Sequence, residues 1–113
     1  MKTKSLMLIM AIAGLFFSPA FAKGDKQTAS FKVWGNCGEC KKRIETGARN
    51  GGASKASWNE ETKMIEVSFD PAKTNVDSIQ QSIANTGYDT EKFKANSESY
   101  SKLPQCCQYT RKE

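Results

Sequence analysis

Across Gly35-Asn36 the spacing of apolar residues changes from two to four, and that switch constrains the fold more than any other feature of the chain. On its N-terminal side Ala29, Phe31 and Val33 alternate with Ser30, Lys32 and Trp34, the period of a half-buried strand. On its C-terminal side Cys40, Ile44 and Ala48 recur at every fourth position, as one stripe of a helix does. Lys41, Lys42, Arg43 and Glu45 then fall on the wet faces of that helix. Asn50-Gly51-Gly52 ends it, glycine suiting the left-handed conformation common past a helix C-terminus.

The remaining elements follow by the same reasoning. Ala53 to Trp58 and Thr62 to Phe69 predict two strands joined by a polar turn at Asn59-Glu60-Glu61. Asp70-Pro71 stops the second, because proline cannot donate to a ladder. Thr74 and Asp77 match a helix-start pattern with Thr74 as N-cap; Val76, Ile79 and Ile83 form the stripe, and Gly87 closes the helix. Tyr88 to Lys94 predicts a polar edge strand. The order is β-α-β-β-α-β: an α+β, ferredoxin-like sandwich, with two helices on one face of a four-stranded antiparallel sheet. It occupies residues 23–94, and residues 95–113 read as a cysteine-containing C-terminal tail.

Residues 1–22 have the pattern of a signal peptide. Lys2 and Lys4 precede an apolar run from Leu6 to Phe17, and Pro19-Ala20-Phe21-Ala22 supplies a small-x-small cleavage site. The run is shorter than the ~20 residues that span a bilayer, so no stable membrane insertion is expected after cleavage. The expected location is the periplasm or another extracytoplasmic space. The mature chain, about 90 residues, has room for one small core. It keeps all 12 acidic residues, which leaves a net charge of about +3. Scattered charges and no stripe of interleaved basic and aromatic residues argue against a nucleic-acid partner.

The sequence contains 0 histidines, so the usual neutral-pH base and the commonest nitrogen ligand are both missing. A tight metal site must be built from thiolates, which select soft ions. Cys37-Gly38-Glu39-Cys40 lies where strand gives way to helix, with Cys40 expected in the first turn. There the helix dipole and the neighbouring Lys41-Lys42-Arg43 cluster would favour a thiolate. Three other uses of this pair stand beside metal binding. They are a thioredoxin-like redox pair, a structural disulfide, and a closed zinc site drawing on all four cysteines.

The stretch Phe31–Cys40 (FKVWGNCGEC), the β-α-β-β-α-β order and the Gly87-Tyr88 pair resemble the heavy-metal-associated domain. That family includes copper chaperones, modules of metal-pumping ATPases and the periplasmic mercury-binding protein. The resemblance implies that Cys37 and Cys40 bind the metal and that Tyr88 lies beside the metal loop. The family usually reads Gly-Met-x-Cys-x-x-Cys; this chain has Gly35-Asn36-Cys37, without the methionine and one loop residue. The implied cargo is Cu(I), with Hg(II), Ag(I) or Zn(II) as other candidates. The implied role is a non-enzymatic metallochaperone or scavenger serving a metal-transporting ATPase, an efflux pump or a cuproprotein. The alternative is a thiol–disulfide oxidoreductase.

Cys106 and Cys107 are candidates for additional ligands. A strand from Tyr88 to Lys94 would carry the chain about 23 Å away from the metal loop. The 11 residues 95–105 return across ~36 Å if extended but only ~16 Å as helix. The expectation is therefore an independent tail.

Overall fold

The computed structural model describes residues 25–113, and the signal assigned to residues 1–22 lies outside them. Three strands, β1 (Gln27–Lys32), β2 (Lys55–Trp58) and β3 (Met64–Phe69), form an antiparallel sheet in the order β1-β3-β2. Helices α1 (Gly38–Asn50) and α2 (Val76–Asn85) complete the ferredoxin-like unit. In register, Phe31 lies opposite Ile65 and Trp58 opposite the same residue, so the inward positions of all three strands share one face. That face buries Phe31, Ile65, Val67 and Phe69 against Cys40, Ile44 and Ala48 of α1 and Ile79 and Ile83 of α2. Burying each large apolar side chain contributes about 1.5–3 kcal/mol, which makes this layer the main source of stability. Met64 points the other way and stays 38 % exposed.

The ends of the elements are set by local chemistry. Asn59 Oδ1 accepts from the N–H groups of Glu61 and Thr62, closing the β2–β3 turn, and Lys63 takes a positive φ of 64°. Helix α2 is capped one residue later than expected: Asn75 Oδ1 accepts from Ser78 N–H at 2.8 Å. The Thr74 hydroxyl instead donates to Gly51 O at 2.6 Å, tying the start of α2 to the end of α1.

Among the described residues the expected fourth strand is reduced to a single bridge between Val33 and Thr90. Trp34 N–H donates to Asp89 O and Glu91 N–H to Lys32 O, so the segment begins to pair along β1. Then Thr90 N–H donates to Phe93 O at 2.7 Å, and the chain turns back. This turn removes the long outward run on which the expectation of an independent tail depended. The tail continues through α3 (Ser97–Ser101) and a short 3-10 turn (Gln105–Cys107), and buries Leu103, Cys107 and Tyr109 in the core of the domain.

Asp89 is the anchor of that return. Its carboxylate is completely buried and accepts from Ala95 N–H, Lys112 N–H and the Arg111 guanidinium. Tyr109 Oη donates to Gly87 O at 2.7 Å and accepts from Asp89 N–H at 2.8 Å. Gly87 is required here twice over. Its φ is +113°, and a Cβ would lie 2.9 Å from Ser99 O, inside the docked tail.

Candidate metal centre

The loop from Gly35 to Cys40 sits on a floor made by Trp58 and Ile44. A Cβ on Gly35 would come within 3.0 Å of both side chains, so the backbone approaches as closely as glycine allows. Trp58 Nε1 donates to Val33 O at 3.0 Å, and Glu45 accepts from Trp58 N–H at 2.9 Å. These bonds fix the segment just after β1 and the middle of α1 relative to β2.

Cys37 is the N-cap residue of α1, in extended conformation, and Cys40 lies one turn inside. Their sulfurs are 3.9 Å apart. The backbone N–H of Cys40, foremost, lowers the Cys37 pKa, with the Glu39 N–H assisting against the cost of burial. Burial raises that of Cys40, which is fully enclosed although Asn36 N–H donates to its sulfur at 3.3 Å. The favoured thiolate is thus Cys37 rather than the expected Cys40. A residue at the cap exposes its side chain to the free N–H groups, whereas one turn later the same stripe that carries Ile44 points into the core. The basic cluster contributes less than its sequence promises: Lys41 pairs with Glu45 and donates to Trp58 O, and Arg43 pairs with Glu39.

The tail brings a third sulfur. Among the described residues Cys37, Cys40 and Cys107 form one group whose Sγ atoms all lie within 4.8 Å of one another. Cys107 is fully buried, and burial raises its pKa. Cys106 falls outside the group: its side chain is exposed, while its carbonyl accepts from Asn36 Nδ2 at 3.3 Å and Cys37 Sγ at 3.5 Å. No S–S bond joins any two of the four cysteines in this structure.

Tyr88 completes the enclosure. Its ring stacks on Tyr109 with centroids 5.5 Å apart, and its hydroxyl has no hydrogen-bond partner among the described residues. Burial, with the Cys107 and Cys40 thiols beside it, pushes the hydroxyl pKa well above the phenolic range. An unsatisfied buried hydroxyl costs about 1–3 kcal/mol. The family resemblance placed Tyr88 beside the loop, while sequence reasoning missed Tyr109, Asp89 and Arg111, whose roles depend on the tail.

The heavy-metal-associated domain profile matches residues 36–89. A solved CopZ metallochaperone is 30 % identical over 57 % of this chain and 98 % of its own, with a TM-score of 0.53. Oxidised MerP from Ralstonia metallidurans CH34 is 30 % identical over 59 % of this chain and 96 % of its own, with a TM-score of 0.55. The chain belongs to the heavy-metal-associated domain family. A copper-binding domain of the P-type ATPase HMA7 is a further structural relative, 27 % identical over 57 % of this chain and 89 % of that one, at a TM-score of 0.54. No curated protein matches the chain. In this heavy-metal-associated domain the family's cysteine pair is present as Cys37 and Cys40, and the tail lies beyond the matched segment. Among the described residues no helix is long and apolar enough to cross a membrane.

Proposed function

We propose that this heavy-metal-associated domain is an exported metallochaperone or scavenger that carries a soft ion, Cu(I) first, on Cys37 and Cys40. The observation that carries the reading is the 3.9 Å Cys37–Cys40 sulfur pair at the N-terminus of α1, with one thiol poised toward ionisation. Thiolate donors without imidazole favour Cu(I) over harder ions. Metal binding expels the thiol protons, and the lowered Cys37 pKa eases that loss. Cys37 is the more accessible of the two, so it meets incoming metal first and leaves last when a partner's thiol takes over. A chaperone and a transport ATPase among the relatives point to a metal-transporting ATPase, efflux pump or cuproprotein as that partner. The export half rests on the signal pattern of residues 1–22, and N-terminal sequencing should find Lys23 first in extracytoplasmic material.

The test is anaerobic Cu(I) titration against a chromophoric chelator. Wild type should bind stoichiometrically, and Cys37→Ser or Cys40→Ser should each lose more than about a hundredfold, since losing an outer-shell partner alone costs ~10–100-fold. Insulin reduction without Cu(I) binding would move the reading to thiol–disulfide exchange.

A further inference from the structure

A two-thiol loop leaves a coordination position open, and in this chain the tail places a sulfur there. We propose that Cys107 is a third thiolate ligand to the ion held by Cys37 and Cys40, and that the Tyr88 hydroxyl donates into the thiolate set once it forms. The inference rests on the reading that Cys37 and Cys40 bind the metal and goes beyond it, because Cys107 lies outside the matched family segment.

Two independent observations carry it. The first is distance. An ion about 2.3 Å from each of three sulfurs, the zinc–thiolate value, spreads them about 4.0 Å apart in a plane. The Cys37–Cys40 separation is 3.9 Å, and Cys107 lies within 4.8 Å of both, so the three close on one ion by side-chain adjustment alone. The second is the orphaned Tyr88 hydroxyl. It is fully buried beside Cys40 and Cys107, whose neutral thiol sulfurs are weak acceptors, and a stronger acceptor there would satisfy it. A metal-bound thiolate is such an acceptor. Each thiol gives its proton to solvent as it bonds, and the excess negative charge then faces Tyr88 O–H, Asn36 N–H and the N-terminus of α1.

The tail is built to hold that position. Cys107 N–H donates to Pro104 O, Tyr100 Oη donates to Tyr109 O at 2.7 Å, and Asp89 clasps Arg111. A site filled by the chain's own third sulfur retains its ion until the tail is released, which makes the protein a guarded store.

X-ray absorption on the full mature chain, loaded anaerobically with one equivalent of Cu(I) and monomeric by ultracentrifugation, tests this directly. Wild type and Cys106→Ser should show three sulfur neighbours. Cys107→Ser should show two and lose more than tenfold in affinity. Tyr88→Phe should keep three sulfurs and bind a few-fold more weakly. Two sulfurs in wild type, with binding still abolished by Cys37→Ser, overturns the third ligand and leaves the proposed function standing. No Cu(I) binding by wild type overturns both. The wild-type coordination number decides the matter even if Cys107→Ser fails to fold.

Discussion

Arg111 grips the buried Asp89 with two nitrogens, Nη2 2.7 Å from Oδ1 and Nε 3.1 Å from Oδ2, across 22 positions of sequence. The Asp89 side chain is 0 % exposed and that of Arg111 19 %, so water screens this pair little. Removing one member of a buried pair costs about 3–5 kcal/mol. Arg111→Ala should fall at the lower end of that range, because the Ala95 and Lys112 N–H groups remain on the carboxylate. Urea unfolding measures it. A loss below about 0.5 kcal/mol, the scale of a surface pair, would mean the clasp is not closed in solution.

The same carboxylate gives a pH signature. Burial, the largest influence, acts to raise its pKa, but the bonds from Arg111, Ala95 and Lys112 outweigh it and hold Asp89 below its ordinary 3.8. A depressed folded pKa contributes stability that is present above the unfolded value and is lost as pH falls through the folded one. Asp89→Asn should therefore be less stable than wild type at neutral pH, with the gap narrowing only below pH 3.8. Urea midpoints for both proteins from neutral to strongly acid pH check this, and a gap constant throughout contradicts it.

Gly87→Ala should undock the tail. The substitution places a methyl 2.9 Å from Ser99 O and 3.2 Å from Leu103 at a φ of +113°, which strains the backbone by about 1–3 kcal/mol. Limited proteolysis should then cut within residues 95–113 while the βαββα portion survives. Equal resistance in mutant and wild type would show that the tail shifts without release.

Trp58→Phe should loosen the metal loop. It keeps most of the buried ring but deletes the donor to Val33 O, which costs about 1–3 kcal/mol for the orphaned carbonyl. The measurable sign is faster amide exchange from Val33 to Cys37. Unchanged exchange there would place the loop's rigidity elsewhere.

Much of this was legible along the sequence. The period switch at Gly35-Asn36 located β1 and α1, and alternation at Ile65, Val67 and Phe69 located β3, because each pattern is local to its element. The N-cap of α2 was read one residue early because Thr74 and Asn75 both fit a capping pattern. Only the packing of Gly51 against Thr74 decides which side chain is free to cap. The stretch after Gly87 misled for a deeper reason. Asp89 in a polar run reads as an exposed strand position, and nothing within several residues announces the arginine that makes its burial affordable. Cys40 was assigned the thiolate because its turn was right; its direction was not, since the stripe that identifies the helix also turns that sulfur inward.

The return of the tail changes what a visiting thiol must overcome. Cys107 is a tethered neighbour whose effective concentration at the Cys37–Cys40 pair is on the order of millimolar or more, set by the fold rather than by supply. A thiol on another protein, present far more dilutely, competes poorly by collision alone. On the proposed three-sulfur site, an acceptor that first loosens the docked tail, which Arg111 holds on the buried Asp89, faces only two sulfurs, so the hold on the tail sets how readily the ion is released.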